Sequence, residues 1–229
     1  MNRRNFLNAG VLGVAFLTIS TSKLLAFAHS KLLGGGGGGN WSSIVKNFKG
    51  ALTIIAKQAG VMGEVIADLA EALGLKVEAA ALRAEAKNIS EKGDALGADD
   101  LDAVRTKSES TQVLITERLA ESTVLNAKQK AKMAEAAVKY VPAMFKSIKA
   151  GIQLASVASS AASAGAPGVV DGVSAASAAV DIPMLVPKAI SFVSASVKAG
   201  QKLTDIMREK DIAVPDTSGL AGEMSAMGA

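Results

Sequence analysis

The stretch that decides the fold is Ala150–Pro187, AGIQLASVASSAASAGAPGVVDGVSAASAAVDIPMLVP. It is built largely from Ala, Ser, Gly and Val, carries only Asp171 and Asp181 as charges, and is broken at Gly165-Ala166-Pro167-Gly168. Gly and Pro between two runs of small residues mark a turn. The pattern predicts a helical hairpin with closely packed arms, through Ala155, Ser159 and Ser163 on the first and Gly168, Gly172 and Ala176 on the second. Small residues four apart share a helix face and let two backbones approach.

Such rows occur in membranes and in tight soluble bundles alike, so length is the better discriminator. At 1.5 Å per residue the arms, taken as Ala150–Ala164 and Val169–Val180, measure roughly 22 and 18 Å. A hydrocarbon core is about 30 Å thick. Lengthening the first arm brings in Lys149 and Lys146, and lengthening the second meets Asp181 and Pro183. Serines at 156, 159, 160, 163, 174 and 177 further reduce the gain from lipid. The hairpin is therefore expected to be buried or self-associating, with membrane insertion as the alternative.

Outward from the hairpin, composition points the same way. Of the 229 residues 49% are apolar but only 3% aromatic, so a core must come from small and aliphatic side chains at short interhelical distances. That favours helices over sheet. The expected fold is all-α: a multi-helix bundle of long amphipathic helices plus the small-residue hairpin. Its boundaries fall at a segment 1–28, a Gly-rich linker 29–41, the bundle 42–211 and a disordered tail 212–229.

The first long helix begins near Ser42 or Ser43, either a suitable N-cap, and stops at Gly74. Ile44, Phe48, Leu52, Ile55, Ala59, Met62, Ile66, Leu69 and Leu73 recur at spacings of three and four, which predicts a coiled-coil-like seam. A second line, Val45, Ile54, Val61 and Val65, is expected to widen the buried stripe. Leu75, Ala79, Leu82, Ala86, Ile89 and Leu96 continue the rhythm, and Asp99 or Asp100 suits the start of a further helix. That helix, from Leu101 to about Val124, is anchored by Leu101, Val104, Val113, Leu114, Ile115 and Leu119; its polar stretch Thr106–Gln112 is read as facing water. Asn126 and Gln129 form a capping-box pair. Pro142 is expected to kink or restart the helix that follows, and Pro183 and Pro187 to bracket a connector before a final helix ending near Arg208.

Residues Met1–Ala28 have a basic start, an apolar run from Ala9 to about Ser22, and the small-x-small site Ala26-Phe27-Ala28. That is the organisation of a cleavable signal peptide. Arg3-Arg4-Asn5-Phe6-Leu7 resembles the twin-arginine export signal, with Asn2 and Asn8 standing where the family pattern has Ser or Thr and Lys. The resemblance covers only this segment. It implies export of a folded chain across the bacterial inner membrane, with Arg3, Arg4, Phe6 and Leu7 as the signal and Ala26 and Ala28 flanking the cut, and a periplasmic or secreted location. Gly34–Gly39 then form a tether. Three of the 25 basic residues lie before the cut, leaving 22 against 21 acidic ones. Such a near-neutral chain carries no basic footprint for nucleic acid.

The residues also argue against catalysis. Cys is absent and His29, the only histidine, lies beside the cut, so thiolate and Ser-His or Zn-His chemistry lack their parts. Asp99, Asp100 and Asp102 lack the spaced ligands of a calcium loop. The hexaglycine is followed by no Gly-Lys-Ser/Thr. No catalytic, metal or cofactor-binding residues are assigned, no cofactor is expected, and no polar group stands ready to orient a small-molecule ligand. The expected function is non-enzymatic: binding of a protein partner, or assembly into a homo-oligomer, in the bacterial cell envelope. The alternative is a pore-forming-like protein that inserts the 150–187 hairpin into a membrane.

Overall fold

The computed structural model describes residues 40–121 and 125–227, and among these it is all-helical, without strands. The export-signal residues Arg3, Arg4, Phe6, Leu7, Ala26 and Ala28 and the hexaglycine lie outside the described residues. Six helices pack as a bundle: α1 Trp41–Ala72, α2 Lys76–Lys92, α3 Ala98–Glu121, α4 Ala127–Ala164, α5 Gly172–Glu209 and α6 Leu220–Ala226. Short 3₁₀ turns at Gly93–Ala95 and Val169–Asp171 join α2 to α3 and α4 to α5.

α1 is the central strut, with its largest contacts to α4 and α2. Of its expected seam, every residue from Ile44 to Leu69 is buried and Leu73 is half-buried. Its N-cap is Asn40 rather than Ser42 or Ser43, since the Asn40 side chain accepts from the Ser43 backbone N–H at 3.1 Å. At the other end Gly74 takes φ 85°, Leu75 N–H donates to Ala70 O at 2.9 Å and Gly74 N–H to Glu71 O at 3.0 Å. This is the Schellman closure, in which a left-handed residue lets the chain satisfy the last carbonyls.

The expected second line on α1 is corrected. Ile54 and Val61 are exposed and Val45 is half-buried; only Val65 turns fully inward. The stripe is widened instead by Ala51, Ala56, Gly60, Gly63, Ala67 and Ala70. At Gly60 an added Cβ would stand 2.7 Å from Ser90 Cβ and 2.9 Å from Ala86 O, and at Gly63 one would stand 2.9 Å from Ala86 Cβ. Two helices this close leave no room for a methyl group, so α1 against α2 is a small-residue interface. Arg83 of α2 bridges its edge to Asp68 and Glu71 of α1. The Arg83 hydrogen bond, then its charge, hold Glu71 below the usual carboxylate range.

α4 runs antiparallel to α1. Gln129 Nε2 donates to Ala72 O at 3.1 Å, and Lys139 further along α4 feels the charges of Asp68 and Glu64. The capping box is formed: Asn126 accepts from Gln129 N–H at 2.9 Å and Gln129 Oε1 from Asn126 N–H at 3.1 Å.

The prolines interrupt neither helix. α4 continues through Pro142, and α5 runs unbroken for 38 residues through Pro183 and Pro187, so there is no connector and no separate final helix. Pro142 and Val138, whose carbonyl the ring leaves without its helical donor, are both exposed. Water can satisfy that carbonyl, and the loss is one hydrogen bond rather than the helix.

The polar stretch of α3 is also corrected, because Ser108, Thr111 and Gln112 are buried while Val113 is exposed. α3 lays this face on Phe192, Ala195, Ser196 and Ala199 of α5 around a crevice of about 10 Å³. Small residues opposite leave space for polar ones, and Tyr140, 2% exposed, brings a hydroxyl into the same place. Its separations from Gln112 Nε2, 3.5 Å, and Ser196 O, 3.4 Å, are long for hydrogen bonds. Burial pushes the Tyr140 phenol far above its ordinary range.

The expected disordered tail is replaced by packed chain as far as Met227. α5 ends in a second Schellman closure: Asp211, at φ 55°, donates to Arg208 O, and Ile212 donates to Met207 O. Arg208 then holds Pro215 O and Thr217 Oγ1 at 3.2 and 2.9 Å. Ile212, Leu220, Met224 and Met227 are buried. Met227 reaches Gly151 of α4, and Gly219 lies against Phe145. Apolar residues spaced through a polar tail supply the burial that the composition alone concealed.

Candidate interaction surface

The hairpin forms where expected, but the face it packs with differs. The inward residues are Leu154, Val157 and Ala164 on α4 and Ala175, Ala178 and Ile182 on α5. Ser159, Ser163, Gly168, Gly172 and Ala176 are exposed and Ala155 is half-buried, so the predicted small-residue rows are not the arm-to-arm contact. Nor does the hairpin have the closest helix approach at these rows; the α1–α2 glycines show that feature. On a helix with several small positions, the choice of inward row is made by the larger neighbours, here Leu154, Val157 and Ile182.

Two left-handed glycines shape the tip, Gly165 at φ 73° and Gly172 at φ 79°. Between them Asp171 accepts from Gly168 N–H at 2.7 Å, and Asp171 N–H donates to Gly168 O at 3.1 Å. A residue with Cβ is strained at such φ, so the two glycines set where the chain reverses.

The two outer faces are chemically unlike. α4 turns serines outward, Ser156, Ser159, Ser160 and Ser163, and Ser163 Oγ donates back to Ser159 O at 2.9 Å. The tip and α5 instead turn out Val169, Val170, Val173, Val180 and Met184, at 102, 97, 84, 62 and 59% exposure. Val173, Ser177, Val180 and Met184 follow at spacings of four, three and four, one face of a helix. The face ends at Lys188, which pairs with Asp102 of α3 at 3.1 Å. From there on α3 covers this side of α5; before it, Val173, Val180 and Met184 stand exposed while the opposite side, with Ala175, Ala178 and Ile182, is buried.

Two stretches, Trp41–Ala72 and Val169–Glu209, are long and apolar enough to cross a membrane by length and composition. The most apolar window of the first is 61% buried, as befits a core helix, and that of the second only 28%. With no break at Pro183 or Pro187, α5 is about 57 Å long at 1.5 Å per residue, well beyond a hydrocarbon core.

Among the described residues, no three of His, Cys, Asp and Glu are grouped to hold a metal ion. The crevice beside Tyr140 has room for about one water. At the α3 start, Asp100 accepts from Gly97 N–H at 2.8 Å and pairs with Lys92. The acidic cluster Asp99-Asp100-Asp102 is thus a helix start, with Asp102 given to Arg105 and Lys188.

No protein-family model, curated protein or solved structure matches this chain.

Proposed function

We propose that this chain is an exported, non-enzymatic helical protein of the bacterial cell envelope that acts by binding a protein partner or a second copy of itself through the valine face of the hairpin. The observation that carries this reading is the exposed line Val169, Val170, Val173, Val180 and Met184, beside a core that buries the α1 seam from Ile44 to Leu69. Contiguous exposed apolar surface marks interaction sites. The export half of the reading rests on the signal-peptide organisation of residues 1–28 and its twin-arginine resemblance.

The test is sedimentation velocity and envelope pull-down of the chain beginning at His29, beside Val173→Glu with Val180→Glu. Concentration-dependent assembly or a retained envelope protein, lost in the double variant, supports the reading. A monomer that retains nothing, or binding indifferent to the two glutamates, defeats it.

A second reading, insertion of the hairpin into a bilayer, is favoured by the unbroken length of α5 and its low burial. Asp171 and Asp181 oppose it, each costing up to about 3 kcal/mol at a bilayer centre. Flotation with vesicles and dye leakage, both suppressed by Val173→Glu, would favour it over protein binding. Absence of both across neutral and anionic lipids would remove it.

A further inference from the structure

We propose that the occupant of the valine face is a second copy of this chain, laid antiparallel along it so that two hairpins pair about a two-fold axis between Ser177 and Val180. This rests on the reading of that face as a binding surface and names its partner and register. The spacing of the exposed row carries the first step. Val173, Ser177, Val180 and Met184 follow at four, three and four, the same from either end. Turned end for end, the row superposes on itself: Val173 meets Met184 of the second copy, and Ser177 meets Val180 of the second copy. A two-fold interface needs such a self-complementary patch, in which every contact occurs twice. Small Ser177 opposite Val180 lets the helix axes approach at the centre, and Val173 with Met184 fills the two ends.

Shape and charge set the same register. In it, Val169 at the tip of one hairpin comes level with Lys188 of the second copy, the point at which α3 begins to cover α5 through Asp102. The uncovered length of each copy is thus filled by the other, over about 28 Å at 1.5 Å per residue. Asp171, beside Val169 at the tip, then stands near the level of Lys188 of the second copy. Lys188 already pairs with Asp102, and its ammonium has further N–H donors to offer. A parallel pair would instead set Asp171 level with Asp171, Asp181 with Asp181 and Lys188 with Lys188. Opposite charges at the two ends therefore select the antiparallel arrangement. One helix face of this length is smaller than a permanent dimer buries, so the pair is reversible, with a dissociation constant on the order of micromolar or weaker.

The absence of native Cys makes the register directly readable. The chain beginning at His29, which holds every described residue, is made as Val173→Cys and as Met184→Cys, one of the two with a size tag, and treated with a short bifunctional maleimide. Mixed, the two are expected to link to each other roughly ten-fold faster than either links to itself, because a 173–173 pair lies about 16 Å out of register. Adding Val180→Glu to both chains should bring the mixed rate down to that of the single variants. Faster linking of Val173→Cys to itself marks a parallel pair and overturns the proposal, as do equal rates in all three mixtures or linking indifferent to Val180→Glu. If sedimentation finds no pair yet the parent retains an envelope protein that Val173→Glu with Val180→Glu releases, the second copy is overturned and the binding surface stands. If neither association is found, both fall.

Discussion

Gly60 of α1 and Ser90 of α2 stand so close that a Cβ added to Gly60 would lie 2.7 Å from that of Ser90. Gly50, on the same helix, is exposed with nothing within 4 Å of an added Cβ. The two glycines give opposite expectations for one substitution. Gly50→Ala should stabilise the fold by up to about 1 kcal/mol, the helix-propensity difference. Gly60→Ala gains the same propensity but must push α2 away, and overpacking costs about 1–3 kcal/mol. Urea denaturation of both variants checks this: a raised midpoint for Gly50→Ala and a lowered one for Gly60→Ala are expected, and equal shifts would contradict the close approach.

Asp211 presents a different conflict, a residue with Cβ at φ 55° closing a helix whose carbonyls it also repels. Asp211→Gly removes both penalties while adding freedom to the unfolded chain. The net expectation is a gain of about 0.5 kcal/mol. It is read as a higher thermal midpoint; a fall would mean that the Asp211 carboxylate holds a contact worth more than the strain.

These positions show which parts of the fold were legible. The α1 seam could be read because Ile44, Phe48, Leu52 and Ile55 are large, and large side chains at helical spacing have one sensible destination. Gly60 and Gly63 could not, since a glycine that admits a neighbouring helix looks in sequence like one that merely weakens its own. Pro142 misled for a related reason: the cost of a helical proline depends on whether water reaches the freed carbonyl, which is a tertiary fact. Ser108, Thr111 and Gln112 were assigned to water because polarity usually means exposure, and only the small residues of α5 opposite them reverse that. The hairpin was legible as a hairpin from Gly165-Ala166-Pro167-Gly168. Its inward row was not, because two rows of small residues compete and Leu154 and Ile182 decide between them.

The α3 start makes stability depend on pH. Burial alone would raise the Asp100 pKa, but the Lys92 ammonium and the Gly97 N–H prevail and hold it below the usual carboxylate range. A carboxylate depressed by folding stabilises the native state above its unfolded-chain value, near 3.9, and that contribution is lost as pH falls through the lower folded value. Asp100→Asn should therefore cost about 1 kcal/mol at neutral pH. The gap between variant and parent should close as pH falls below about 4. Guanidinium denaturation at pH 7 and pH 3 measures it; a gap unchanged between the two would exclude the ionised carboxylate as its cause.

The valine face separates stability from binding, because Val173 and Val180 are 84 and 62% exposed and so contribute little to the core. Val173→Glu with Val180→Glu should change folding stability by no more than about 0.5 kcal/mol per site, the range for ordinary surface positions. Ile182→Ala, two residues beyond Val180 but 2% exposed, should cost about 2–5 kcal/mol by leaving a cavity. Measured in the chain beginning at His29, the double variant should keep the parent's denaturation midpoint and lose its association, whereas Ile182→Ala should lower the midpoint first. If the two glutamates lowered the midpoint as far as Ile182→Ala does, the exposed valines would be part of the core, and the face would no longer be free to bind.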